Sequence, residues 1–291
     1  MSTVVLLLIT GLGLGALYFL VASGLSLIYG LMGVLNFAHG SFLTLGAFAG
    51  WEVARRMEGD SWVTFAVSIM VGAAVGALVA AATELLLIRP LYQRHIEQVL
   101  VTVGLGLATV ALFEGVWGVD QIFVNGPAWL GEITVVLGAR IPNEYFALIA
   151  GAVVVLLAIV LFLKFTRYGL VIRAGVENRS MVTALGIDVR RAFTLVFAIG
   201  GAAAGIGGVL ASHYVGSVSP HLGVSLLIFA FIVTVIGGLG SLPGAAIASV
   251  LVAVLQQFAN FYLDGSGDLV VVLLLAAVLL VRPAGLLGAK A

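Results

Sequence analysis

No Asp, Glu, Lys or Arg occurs across residues 192–263, a stretch of 72 residues, nor across residues 2–51, a stretch of 50. Crossing the ~30 Å hydrocarbon core of a bilayer takes ~20 apolar residues in a helix. The shorter run therefore holds two crossings with a turn near Tyr29-Gly30-Leu31-Met32-Gly33. The longer holds three, divided at Ser217-Val218-Ser219-Pro220-His221 and at Gly240-Ser241-Leu242-Pro243-Gly244. Four more apolar runs lie at 61–83, 98–113, 145–163 and 269–281. The expected fold is all-α, a polytopic membrane helix bundle of about nine spans, within a range of about eight to ten. A β-barrel is disfavoured, because its strands show as ~10-residue alternating segments.

Composition supports this solvent assignment. Hydrophobic residues make up 62% of the chain and charged ones 9%, against about 25% charged in an ordinary soluble domain. Disordered chains are poor in apolar residues, so disorder is excluded too. The chain of 291 residues reads as one membrane-embedded body over 1–291. Net charge is zero, so nothing points to nucleic acid, and the absence of cysteine removes thiolate chemistry.

Loop charge sets orientation through the positive-inside rule. Segment 164–191 carries Lys164, Arg167, Arg173, Arg179, Arg190 and Arg191. It is placed in the cytoplasm. Alternation then puts Arg89, Arg94, Arg282 and Lys290 inside as well, ten of the 13 basic residues, and leaves Arg55, Arg56 and Arg140 outside. Nine crossings require an outside N-terminus and a cytoplasmic C-terminus. The uncharged N-terminal run fits that orientation and is unlike a cleaved signal peptide. Trp51, Trp62, Trp117 and Trp129 fall beside the outer loops, as interfacial aromatics do. In the longest outer connection, 114–143, Asn125-Gly126-Pro127 signals a turn and residues 132–136 alternate like a short strand.

Small residues four apart recur at Gly72/Gly76, Gly201/Gly205 and Ala204/Gly208, a spacing that lets helix backbones approach closely. No Gly-x-x-x-x-Gly-Lys-Ser/Thr occurs, and the only lysines are Lys164 and Lys290. The chain thus has no phosphate loop with which to use ATP. Ser26, Ser41 and His39 raise an intramembrane serine hydrolase, but Gly-x-Ser-x-Gly is missing. The four histidines show no helical pairing for a metal. Neither catalysis nor a bound metal is expected.

Polar residues inside spans are costly and often functional. The densest cluster is Asn36-Phe37-Ala38-His39-Gly40-Ser41. It reads either as a helix start capped by Asn36 or as a broken helix lining a translocation path. Gln256, Gln257 and Asn260 are expected to bond between helices, and Glu84 and Glu114 to sit at solvated helix ends. Segment 164–191 is amphipathic. Ala174, Asn178 and Val182 share a helical spacing, and Gly186 is a natural helix stop. Two readings stand: a solvated loop, or a short helix docking into a partner's groove.

Four strings stand out together: Gly24-Leu25-Ser26-Leu27-Ile28-Tyr29-Gly30-Leu31-Met32-Gly33-Val34-Leu35-Asn36-Phe37-Ala38-His39-Gly40, Arg173-Ala174-Gly175-Val176-Glu177-Asn178 with Leu185-Gly186-Ile187, Val235-Ile236-Gly237-Gly238-Leu239-Gly240-Ser241-Leu242-Pro243-Gly244-Ala245, and Arg282-Pro283-Ala284-Gly285-Leu286-Leu287-Gly288. As a set these strings resemble one family, the permeases of bacterial branched-chain amino acid ABC transporters. They run in order along nearly the whole chain, and Asn-Phe-Ala-His-Gly points to the "H" type of the two permeases in such a system. The resemblance implies an inner-membrane, multi-pass subunit that forms a pore with a second related permease. Two cytoplasmic ATPases, carrying ATP and magnesium, and an extracytoplasmic solute-binding protein would complete the system. It also implies that Arg173, Ala174, Glu177, Asn178, Met181, Leu185, Gly186 and Ile187 form the segment coupled to the ATPases. The older importer motif begins Glu-Ala-Ala, whereas this chain has Ala174-Gly175-Val176-Glu177. Asn36, Phe37, His39, Gly40 and Ser41 are the corresponding pathway candidates. Related permeases carry urea, short amides or aromatic acids, so those solutes, and an autonomous secondary transporter, stand as alternatives.

Overall fold

The computed structural model describes residues 2–57 and 60–288, without the side chain of Arg179. Lys290, placed inside on sequence grounds, lies outside the described residues. Ten α-helices follow one another among the described residues: α1 (Ser2–Met32), α2 (His39–Arg56), α3 (Trp62–Thr83), α4 (His95–Trp117), α5 (Glu144–Phe165), α6 (Arg167–Ala184), α7 (Arg190–Val215), α8 (Leu222–Gly237), α9 (Leu242–Tyr262) and α10 (Gly267–Val281). Each of the nine segments expected within the six apolar runs coincides with one of these helices, and α6 is the amphipathic segment between. Six helical stretches are long and apolar enough to cross a membrane, while α8 and α10 are apolar but shorter. There is no barrel among the described residues: the strands are two short antiparallel pairs.

Local chemistry explains the helix ends. Ser61 caps α3, its hydroxyl accepting from the Thr64 N–H at 3.1 Å. Ser241 does the same for α9 through Gly244, with Pro243 in the first turn where its missing N–H costs nothing. The 114–143 connection contains β2 (Ile133–Val136) and β3 (Ala139–Pro142), paired antiparallel, so the alternation at 132–136 is a real strand. Its β1 (Ile122–Phe123) pairs with β4 (Ser217–Val218), which ties this loop to the start of α8.

Burial divides the bundle into centre and periphery. Two-thirds of the best spanning window is buried in α1 and in α7, against 11% in α4 and 22% in α5. α1 and α7 therefore form the core, and α4 and α5 turn most of their apolar surface outward. The glycine faces seen in the sequence meet one another. A methyl group added at Gly72 would fall 3.2 Å from the Gly205 carbonyl oxygen, and Gly76 abuts Gly201 in the same way, so α3 and α7 cross backbone to backbone. Polar pairs tie other helices. The Tyr18 hydroxyl donates to Gln256 Oε1 at 2.7 Å, Gln256 Nε2 donates to Asp268 Oδ1 at 2.8 Å, and Asn260 Oδ1 accepts from the Gly267 N–H at 2.8 Å.

Candidate functional site

α1 continues through the expected turn to Met32, and Gly33 then reverses the chain at φ +70°. The next residues, 33–36, have no regular structure, and 37–38 form a turn into α2. The depth of this stretch follows from one contact. Nε2–H of His39 donates to the carbonyl oxygen of Val21 at 3.1 Å, and Val21 lies three helical turns, about 16 Å, before the end of α1. The chain thus climbs back from the end of α1 to near the middle of the bundle before α2 begins. Non-helical backbone at that depth is tolerated where it is buried in protein or lines a cavity.

The Asn36 cluster lies partly in this turn and partly at the start of α2. Asn36 Oδ1 accepts from the Ala38 N–H at 3.1 Å, which steadies the turn into α2. It does not cap α2 itself, whose N-cap Ala38 has no side-chain bond. The Asn36 Nδ2 group is buried without a partner, as are His39 Nδ1 and Ser26 Oγ. Because a carbonyl only accepts, His39 holds its proton on Nε2, which leaves Nδ1 a bare acceptor. Ser41 pairs with Thr109 of α4 at 2.5 Å; the Thr109 hydroxyl already donates to backbone carbonyls, so Ser41 is the donor. His39 and Ser41 therefore have separate partners and do not form a catalytic pair.

Beside the irregular stretch lies a cavity of about 290 Å³, lined by Leu25, Leu35, Asn36 and Phe37 and by α8 residues including Leu227 and Phe231. Phe37 stacks on Phe231 with centroids 6.3 Å apart. Asn36 is the one hydrogen-bonding side chain in this lining. Gly40 lets α2 and α8 close on each other: a methyl group there would lie 2.6 Å from the Gly223 carbonyl oxygen, and the Gly223 N–H bonds Thr44 Oγ1 at 2.9 Å. The starts of α2 and α8 meet at this point. The sequence carried no sign that α8 supplies the other wall, since that depends on a partner nearly two hundred residues away.

Five of the basic residues line two clefts at one end of the bundle. Lys164 and Arg173 line a cleft there with Leu239, Pro243 and Leu287, and Arg89, Arg94 and Arg190 line a second of about 670 Å³. α6 lies across this end. Thr166 caps it by accepting from the Gly169 N–H at 2.9 Å. The single helix expected through Ala174, Asn178 and Val182 is interrupted, because Asn178 is non-helical at φ −154°, ψ 92°. Its side chain instead caps a second short helix, accepting from the Met181 N–H at 3.0 Å and from the Ser180 hydroxyl at 2.8 Å. Gly186, at φ +77°, ends that helix: its N–H reaches the Thr183 carbonyl and the Ile187 N–H the Val182 carbonyl. Ile172, Val182 and Val189 point inward, while Arg173, Val176, Glu177, Asn178, Met181, Leu185 and Ile187 are exposed and Ala174 is half-buried. Apolar side chains exposed at a charged end are unusual unless something covers them.

Glu84 departs from its expected solvated position: it is fully buried. Its Oε2 accepts from Thr194 Oγ1 at 2.6 Å, and its Oε1 accepts from the Tyr92 hydroxyl. Glu114 is half-exposed beside His221, at 3.1 Å. An acid isolated in an apolar run was the available signal for Glu84, but its partners were not readable.

A family model described as "Branched-chain amino acid transport system / permease component" matches residues 7–282. The chain is 30% identical over 287 residues to the high-affinity branched-chain amino acid transport system permease protein LivH of Salmonella typhimurium, covering 96% of this chain and 93% of that protein. It is 31% identical over 295 residues to the permease protein BraD of Pseudomonas aeruginosa, covering 97% and 94%. Similarity extends to the fructose import permease protein FruF of Bifidobacterium longum, 28% identical, with 86% of this chain and 69% of that protein covered.

Proposed function

Given that the chain belongs to the branched-chain amino acid transport system permease family, we propose that it is the membrane-spanning subunit of an ATP-driven importer of aliphatic amino acids. The observation that carries this reading is the irregular stretch 33–38 at mid-depth beside an apolar cavity. Its aliphatic and aromatic walls suit a hydrocarbon side chain. Asn36 Nδ2 is an unpartnered donor on this stretch, and His39 Nδ1, at the start of α2, is an unpartnered acceptor three residues on; Asn36 is the one in the cavity lining for the polar end of a solute. A sugar, or a short amide without a branched hydrocarbon side chain, would leave these apolar walls poorly filled. This favours branched-chain amino acids over the solutes of more distant relatives.

In this reading α1–α5 and α7–α10 supply nine crossings of the bacterial inner membrane, with the C-terminus in the cytoplasm. The whole chain is one permease domain. It forms a pore with a second related permease and receives substrate from an extracytoplasmic binding protein. Segment 164–191 docks on two cytoplasmic ATPases, which hold ATP and magnesium. Exposed Met181, Leu185 and Ile187, backed by buried Val182 and Val189, support that docking role. ATP-driven rocking of the segment would bias the bundle between outward and inward states.

The test is uptake into proteoliposomes holding the permease pair, the ATPases and the binding protein. Leucine, isoleucine and valine should enter with ATP and should compete with one another better than urea, acetamide or fructose does. Import by the chain alone, driven by an ion gradient without ATPases, would overturn the reading in favour of a secondary transporter.

A further inference from the structure

Glu84 begins a π-helical turn, Glu84–Ile88, at the end of α3. Such turns insert an extra residue into a helix and recur at functional positions. The carboxyl group is fully buried and joins three parts of the chain. Through Tyr92 it holds the connection between α3 and α4, and through Thr194 it holds the second turn of α7, 110 residues away. Arg89 approaches it at 3.8 Å from the rim of the 670 Å³ cleft, and the Tyr92 ring packs edge-on against Phe193 at 5.0 Å. That cleft is also lined by Ile187, Asp188 and Val189, the residues that lead from the second half of α6 into α7.

An apolar side chain would fill this position without the desolvation that a buried carboxyl group incurs. The arrangement has a mechanical consequence. α3 and α7 already cross backbone to backbone at Gly72, Gly76, Gly201 and Gly205. Glu84 adds a polar tie at the basic end, just beyond the point where α6 feeds into α7. A push on residues 183–190 then moves α7 and α3 as one lever rather than bending α7 alone.

We propose that Glu84 is a positioning residue for energy coupling: it locks the start of α7 to α3 and the α3–α4 connection, so that displacement of segment 164–191 is transmitted to the bundle. This rests on the importer reading above. Glu84→Leu, Glu84→Gln and Thr194→Val would be compared in the complete proteoliposome system, measuring ATP hydrolysed and solute imported, with the assembled complex quantified by size-exclusion chromatography. Glu84→Leu should assemble and hydrolyse ATP yet import at least tenfold less solute per ATP. Glu84→Gln, which keeps an acceptor for Thr194 or Tyr92, should stay within about threefold of wild type, and Thr194→Val should lie between them. If Glu84→Leu does not assemble, Thr194→Val decides. A wild-type ratio in Glu84→Leu, or in Thr194→Val where that variant decides, would overturn the proposal, as would losses that only follow the amount of complex formed. Failure of the wild-type system to import with ATP would instead refute the importer reading, so the two failures are distinguishable.

Discussion

The imidazole of His39 and the main-chain carbonyl of Val21, eighteen residues apart in sequence, meet at 3.1 Å in the fully buried middle of the bundle. That bond anchors the start of α2 at mid-depth, and the ring also packs edge-on against Phe42. His39→Ala removes both contacts and leaves a void. It is expected to destabilise the protein by about 2–4 kcal/mol, read as a lowered Tm in detergent, and to reduce uptake. A variant with unchanged Tm would mean that the anchor contributes nothing.

The junction of α2 and α8 leaves no room for a side chain. Gly223→Ala would press a methyl group against the Gly40 carbonyl and the Thr44 hydroxyl. Overpacking of this kind costs about 1–3 kcal/mol. Gly104→Ala is the control, because that α4 glycine has open space where a Cβ would sit, and the change should leave stability within about 1 kcal/mol of wild type or raise it slightly. Thermal unfolding of the two side by side checks the geometry directly.

The cavity should select by side-chain volume. Leu227→Phe adds bulk to its wall and should depress leucine and isoleucine uptake at least fivefold while sparing alanine. Asn36→Leu keeps the branching and the number of side-chain heavy atoms but removes the amide, and should lower uptake of all three. Competition uptake measures both, and equal inhibition of large and small solutes by Leu227→Phe would remove the cavity from the pathway.

At the basic end, Gly186 sits at φ +77°, which a β-branched residue adopts only with strain. Gly186→Val should loosen the end of the second short helix by about 1–2 kcal/mol and lower solute imported per ATP with little change in global Tm. Glu177→Ala, at an exposed position, should leave Tm unchanged and have the same effect on coupling. Asn178→Ala removes the internal cap, worth about 1 kcal/mol. Hydrogen exchange over 179–186 should then quicken.

Much of the fold was legible because its causes are local. Charge-free runs mark where a chain can stay in hydrocarbon, so all six apolar runs are helical. Gly186 marks a helix end because its bond reaches only three residues, to Thr183. Helical spacing misled at Asn178 because its amide competes with the backbone, and local side-chain bonding won. The polar cluster at 36–41 was half legible. A polar cluster in a span announces itself, but its partners do not.

The sequence by itself determined the solvent, the helical segments and the concentration of basic residues in one connection, since each depends on residue type within a window of about one membrane thickness. Only the tertiary structure decided that residues 33–38 climb back to mid-depth, that α8 closes the apolar cavity, and that Glu84 is buried against α7. Each of those depends on a contact between distant residues, such as Glu84 with Thr194. In a chain this uniformly apolar, many helix faces look alike until close glycine crossings and a few buried polar bonds select which of them meet.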